Sequence, residues 1–307
     1  MPPVTHEAQM ASSHQRGAEL AALVALERSR PRGTAPWKIA RYVEELGSAI
    51  AGLFGDRHVD EDVVRQAQSD VERWLANGLD MRSVLDETYP ANLRGAFDSP
   101  PYVFVKGELD DSWARRAVAV VGTRDATPQG TARARRVART LVDGGYAVLS
   151  GLARGIDHAA HTATLDAGGR TVAVMGTGIE RVYPAEHREL ANRIVTTGGA
   201  LVSQFEPNAT GARHTFPMRN ATMSGMALAT VVVEAGETSG ARVQALAGLK
   251  NGSSVFLLRS LVEQQDWARE LVNVGKFGAT AVVLDDVDQL MSALQSSDTD
   301  REPLSFT

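Results

Sequence analysis

Four short loops concentrate the residues able to do chemistry in this 307-residue chain. They read Gly122-Thr123-Arg124, then Ser150-Gly151-Leu152-Ala153-Arg154-Gly155-Ile156-Asp157, then Gly176-Thr177-Gly178, and after Glu234 a loop holding Gly236 and Thr238-Ser239-Gly240. Glycine lets backbone N–H groups approach a ligand and adopt positive φ. A helix start just beyond adds oriented donors and the positive end of the helix dipole. Arginine offers a planar fork that matches phosphate oxygens. A further basic element runs Arg213-His214-Thr215-Phe216-Pro217-Met218-Arg219-Asn220. Pro217 suits the first turn of a helix, so Arg219 and Asn220 are expected to face the same mouth as Arg124 and Arg154. Taken singly, each loop reads as a tight turn; their convergence points to phosphate binding. Asp157 is expected to cap the helix that starts at His158.

Other chemistries find less support. No G-x-x-x-x-G-K-[ST] occurs, which argues against a P-loop NTPase. Gly176-Thr177-Gly178-Ile179-Glu180-Arg181 has an arginine where a dinucleotide fingerprint needs its third glycine. Neither a G-x-S-x-G elbow nor H-E-x-x-H is present. His158 and His161 stand three apart with no evident third metal ligand, so they read as packing and helix-surface residues. The carboxylates near the loops are Asp125, Asp157, Glu206, Glu234 and Glu237, of which Glu234 or Glu237 would be the base of a hydrolase.

The elements that must hold these loops follow from patterning. Residues 117–121, 147–150, 171–175, 200–203, 230–234, 254–258 and 280–284 are short runs, mostly apolar throughout. Strands buried on both faces read this way, and helical segments fill the gaps between them. The expectation is an α/β fold, a doubly wound, mostly parallel Rossmann-like sheet spanning residues 116–295. In such sheets ligands bind beyond the carboxyl ends of the strands, where the four loops lie. Helical spacing over 20–53, with Ile39, Val43 and Leu46 on one face, and again over 63–75, predicts a small helical N-terminal module within residues 1–80. Residues 81–115 read as an extended lead-in, residues 1–14 as a frayed terminus and 296–307 as a polar tail.

Composition narrows the class further. Without cysteine there is no disulfide framework, thiolate nucleophile or Cys-ligated metal. No apolar run approaches the ~18 residues of a membrane span. Leu20–Leu26, flanked by Glu19 and Glu27, reads as an amphipathic helix rather than a signal peptide. A cytoplasmic location is expected, with no cofactor and no membrane partner. The net charge is −5, yet residues 116–259 hold 16 Lys and Arg against 10 Asp and Glu. A basic centre between acidic flanks suits a centrally bound anion.

Jointly, these motifs resemble one family. Val121-Gly122-Thr123-Arg124, the 150–157 loop with Ala160-His161, Gly176-Thr177-Gly178 with Tyr183-Pro184, and Phe216-Pro217-x-Arg219-Asn220 stand in the order found in the DNA-processing protein A family, DprA or Smf. Tyr89-Pro90 and Pro100-Pro101 resemble that family's lead-in, and the likeness covers residues 80–258. It implies a homodimeric, non-enzymatic single-stranded DNA binder that protects strands and helps load the RecA recombinase in DNA uptake and recombination. It also implies that Arg124 and Arg154 contact phosphates. Gly122, Thr123, Ser150, Gly151, Gly155, Gly176, Thr177 and Gly178 would shape the pocket with Phe216, while Arg219 and Asn220 close its rim. After Leu258 the chain departs, reading Arg259-Ser260-Leu261 where the family has a Pro-Gly turn; apolar surface for pairing is then expected from 255–258 and 281–284. With aromatics at 6 %, binding is expected to be dominated by phosphate and tolerant of sequence. The alternative is a nucleotide sensor or phosphoribohydrolase-like enzyme on a similar fold. Glu234-Ala235-Gly236-Glu237-Thr238-Ser239-Gly240, however, lacks the paired glycines and downstream glutamate of that loop.

Overall fold

The computed structural model describes residues 6–55 and 59–299. They form two compact units: one takes the chain up to Tyr89 together with Asp98–Phe104, the other Pro90–Phe97 and the chain from Val105 onward.

The first unit is built around α1 (His6–Arg28). Its segment Leu20–Leu26 is buried on every side, not on one face as an amphipathic helix would be, which makes α1 the central helix of the unit. Residues 6–14, expected to fray, belong to this helix, and residues 1–5 lie outside the described residues. Pro31, Gly33 and Pro36 break the chain before α2 (Trp37–Leu46), which ends at Gly47 with φ 67°. Ile39 and Val43 are buried as expected, but Leu46, in the last turn before that left-handed stop, is exposed. In α3 (Ala49–Leu53) the first N–H groups are capped from within the unit: the Glu19 carboxylate accepts from Ala49 N at 2.6 Å and Ile50 N at 3.1 Å. Asp60 caps α4 (Glu61–Ala76), and β1 (Asp80–Ser83) follows. Trp74 of α4 meets Phe104 edge-on, with ring centroids 5.3 Å apart.

The 81–115 stretch is less extended than its turn residues suggest. It contains α5 (Ala91–Arg94), β2 (Tyr102–Gly107) and α6 (Asp111–Ala114).

The second unit holds a parallel sheet. Its strands are β3 (Ala117–Val121), β4 (Ala147–Ser150), β5 (Thr171–Val174), β6 (Ala200–Ser203), β7 (Ala229–Val232), β8 (Ser254–Leu258) and β9 (Val282–Leu284). They lie in the order β6-β5-β4-β3-β7-β8-β9, and every neighbouring pair is parallel. The chain thus winds outward from β3 to β6, then returns to β7 on the other side of β3. This is the doubly wound order, with its switch point at β3 and β7. Strands β3 to β7 are buried along their whole length, which is why their sequences are apolar rather than alternating.

The crossovers are α7 (Pro128–Asp143), α8 (Ile156–Asp166), α9 (Arg188–Thr196), α10 (Thr215–Met226), α11 (Gly240–Lys250) and, beyond β8, α12 (Arg259–Gln264) and α13 (Asp266–Asn273). Val118, Val120, Val148, Val231 and Phe256 share one core cluster with Val137, Leu141, Ile156 and Leu294 of the helices. Thr127 caps α7 by accepting from Gly130 N at 2.9 Å, and Pro128 opens the helix. The last helix, α14 (Leu290–Thr299), takes in residues 296–299 of the expected tail, and the rest of the tail lies outside the described residues. Residues 255–258 are interior strand, buried between β7 and β9, so they offer no pairing surface; of residues 281–284, Val282 is exposed while Ala281 and Leu284 are buried.

Glu27 in α1 gives the first unit a pH dependence. Burial pushes its carboxyl up to about 7, against the pull of Arg30 3.1 Å away. The folded protein therefore keeps a proton that the unfolded chain releases near 4.5. The resulting stabilisation is full below the lower value and is lost as pH rises through the upper one. Chemical denaturation should show the wild type losing roughly 2–3 kcal/mol more than Glu27→Gln between pH 5 and pH 8.

Candidate functional site

The carboxyl ends of β3, β4 and β7 open into a cavity of about 420 Å³ at the switch point. Gly122, Thr123 and Arg124 enter it from β3, and Ala153 and Asp157 from the loop and helix after β4. Phe216, Arg219, Asn220 and Met223 come from α10, and Gly236, Thr238 to Ala241 and Gln244 from the loop and helix after β7. Of the residues that the resemblance assigns to the site, six line this cavity: Gly122, Thr123, Arg124, Phe216, Arg219 and Asn220.

Arg124 is exposed, with its guanidinium over the Phe216 ring, 5.4 Å from the centroid. It makes no ion pair among the described residues. The Phe216 ring in turn lies 6.0 Å from that of Tyr183, so arginine and two aromatics stand together at the mouth.

Arg219 is buried rather than placed at a rim. Its Nη1 donates to Val174 O at 3.2 Å, and its Nε has no partner among the described residues. Burial lowers its proton affinity, the Asp157 charge offsets only part of this, and Arg124 adds to the lowering. A guanidinium stays charged even so. Asp157 is buried too, and burial pushes its carboxyl up, against the pull of Arg219 and of the backbone donors. Gly151 N at 3.0 Å and Ala153 N at 3.4 Å donate to its Oδ2. Asp157 is not the helix cap. The cap position is Gly155, whose φ of 70° permits the turn, and Asp157 sits within the first turn, its carboxylate folded back onto the loop.

The remaining glycines and hydroxyls brace the cavity without lining it. A Cβ on Gly151 would fall 1.3 Å from Nη1 of Arg219, so only glycine leaves the guanidinium its place. A Cβ on Gly155 would meet Thr123 O at 2.4 Å, one on Gly176 the Phe216 ring at 2.7 Å, and one on Gly178 Glu206 O at 2.1 Å. Ser150 Oγ donates to Val120 O at 2.7 Å. The Thr177 hydroxyl donates to Arg181 O. Arg154 is held by Glu186 through two bonds, 2.5 and 2.8 Å, in an exposed pair.

Carboxylates considered as bases are committed elsewhere. Glu234 accepts from the Thr127 hydroxyl at 2.9 Å, and Glu237 pairs with Arg242 at 2.6 Å. His161 is fully buried; its Nδ1 lies 2.7 Å from the Thr171 hydroxyl, and burial pushes its pKa down to about 3. Among the described residues no group of three or more His, Asp or Glu is arranged to hold a metal ion.

Sequence reading passed over Gln244, which lines the cavity from α11 and is 1 % exposed. A signal was available: it stands among Ala241, Ala245 and Gly248 on the face of α11 that packs inward, where an amide is out of place.

Against known proteins, the family model described as DNA recombination-mediator protein A matches residues 80–295. Protein Smf of Escherichia coli is 40 % identical over 172 residues, 56 % of this chain and 46 % of that protein. A putative DNA processing protein DprA of Mycobacterium tuberculosis is 37 % identical over 238 residues, 73 % of this chain and 58 % of that one. The chain spans about half the length of the curated relatives it matches. The crystal structure of DNA processing protein A from Streptococcus pneumoniae superposes with a TM-score of 0.68 at 27 % identity, covering 90 % of this chain and 95 % of that one. The Helicobacter pylori protein, whose structure addresses its single-stranded DNA binding mode, superposes with a TM-score of 0.60 at 21 % identity, which speaks for the fold.

The two acid–base relationships should separate in denaturation experiments. Asp157→Ala removes the acceptor of two backbone donors and the charge facing buried Arg219, and is expected to cost roughly 3 kcal/mol. Arg154→Ala breaks an exposed pair and should change stability by less than about 0.5 kcal/mol.

Proposed function

The chain belongs to the DNA recombination-mediator protein A family, and from that premise we propose that it binds single-stranded DNA through its phosphates at the β3–β7 switch point, without catalysing a reaction. The observation that carries this reading is the pairing of two cationic side chains in one cavity, Arg124 at the mouth and Arg219 within. Arg124 has no carboxylate to neutralise it among the described residues and is steadied by Phe216. Thr123 and the start of α11, capped by Ser239, add hydroxyl and backbone donors around the same space.

In this reading Arg124 and Arg219 hold phosphate directly, with Gly122, Thr123 and Asn220 shaping the wall. Gly151, Gly155, Gly176 and Gly178, with Ser150 and Thr177, keep the loops close enough for that wall to exist. Arg154 joins only when a phosphate displaces Glu186, so its share is smaller than that of Arg124. The nucleotide-enzyme alternative is not favoured, because Glu234 and Glu237 already serve Thr127 and Arg242.

The wider role follows the family: protection of single strands, assistance to the RecA recombinase, pairing of two copies, and action in the cytoplasm. No helix among the described residues is long and apolar enough to cross a membrane. A second copy or a recombinase must use surface other than residues 255–258, which are interior; Val274 and Phe277 are exposed in this part of the chain.

A fluorescence titration with a single-stranded oligonucleotide at several salt concentrations tests the reading. Neutralising Z phosphates gives a log–log slope of about −0.7Z; a slope near zero refutes a phosphate clamp. Arg124→Ala should bind roughly 10- to 150-fold more weakly with an unchanged melting temperature. Gly151→Ala should weaken binding as Arg219→Ala does, by dislodging the same guanidinium.

A further inference from the structure

We propose that a strand bound at the switch point continues out of the cavity across the outer side of α7 and α8, and that Arg135 and Arg139 hold its phosphates there. The inference rests on the single-stranded DNA reading and extends it to a surface that the cavity does not include.

An uncompensated run of charge motivates it. Helix α7 carries Arg133, Arg135, Arg136 and Arg139, and its only acid, Asp143, stands at its end. Ala134, Val137 and Leu141 pack into the core with Ala159 and Ala163 of α8, so the arginines are spread over the rest of the helix surface. Two of the four are accounted for. Arg136 turns to Asp286 and Asp288, at 3.0 and 2.7 Å. Arg133 lines a second cavity beside Glu234 and Leu261. Arg135 and Arg139, one turn apart, are exposed and make no ion pair among the described residues. Like charges at this spacing destabilise a helix, and a polyanion laid along them removes the repulsion.

Continuity with the cavity identifies the polyanion. Tyr183, beside Phe216 and Arg124 at the mouth, interacts electrostatically with Arg154. Next to Glu186, the partner of Arg154, stands His187, whose ring lies 4.9 Å from that of His158. Burial, His187 and Arg135 together hold the His158 imidazole below its usual range, which puts Arg135 on the α8 side of its helix. From the mouth to Arg139 the surface thus alternates cations with rings, the combination with which proteins track a single strand. Of the acids along it, Glu186 is held by Arg154 and Asp166 by Arg193, while Asp125 lies near Arg154 where the run begins. A protein partner would need acids spaced to match this run; a strand presents one at every nucleotide.

The test compares the wild type with the double variant Arg135→Gln, Arg139→Gln. Each is titrated with oligothymidylates of about 6 and about 16 nucleotides, within the range of single-strand site sizes. The variant should bind the long strand roughly tenfold more weakly, with a log–log salt slope shallower by about 1.4, the share of two phosphates. Its affinity for the short strand should match the wild type, and its melting temperature should not fall. Arg135→Lys with Arg139→Lys keeps both charges and should bind the long strand as the wild type does. Arg133→Gln, on the other flank of α7, controls for net charge and should leave both affinities within about twofold. If the double variant fails to fold, Arg135→Gln alone should show about half of the slope change. Unchanged binding of the long strand overturns the inference and leaves the cavity reading standing. Equal loss on the two strands overturns it too, as does a loss in Arg133→Gln as large as that in Arg135→Gln. If the wild type binds neither strand, both readings fall.

Discussion

A guanidinium buried beneath the ends of a parallel sheet is the constraint on which the rest of this site depends. Arg219 cannot sit there unless its charge is met, its donors are used and space is cleared for it. Asp157 meets the charge, Val174 O takes one donor, and the missing side chain of Gly151 clears the space. Asp157 is itself tolerable because Arg219 faces it and Gly151 N and Ala153 N donate to it. The 150–157 loop is thus shaped by the requirements of one cation, and much of its glycine content answers to packing rather than to direct ligand contact.

The parallel sheet makes the arrangement possible. Because β3 and β7 are neighbours across the switch point, loops far apart in sequence meet there. Thr123 N donates to Glu234 O at 2.7 Å and Ile156 N to Thr123 O at 3.2 Å, so three strand-end loops are tied by backbone bonds before any side chain is considered. Glu234, the carboxylate best placed to suggest an enzyme, spends its charge on the loop before α7. A donor-rich cleft walled by two arginines is suited to holding an anion.

Much of this was legible in the sequence because buried parallel strands leave an unmixed apolar signature, and β3 to β7 carry it. The loops beyond them were legible as a group for the same reason. What sequence could not separate was contact from support. Thr123 and Thr177 look alike on paper, yet one lines the cavity while the other closes its own turn through Arg181. Arg124 and Arg154 look alike as well, but Glu186, thirty-two residues away from Arg154, decides the difference. Gln244 was missed because a single polar residue on a helix carries no pattern; its meaning depends on what surrounds it in space.

Charge balance makes the same point at larger scale. The excess of basic residues between 116 and 259 suggests a broad cationic surface. Within that stretch, however, Arg136, Arg154, Arg193, Arg242 and Arg259 each face a carboxylate. Arg116 and Arg170 lie over the rings of Tyr146 and Trp113. An anion entering the cleft therefore meets first the two arginines that line it, Arg124 and Arg219. Exposed pairs such as Arg154–Glu186 are cheap to open, so such a pair does not bar its arginine from a competing anion.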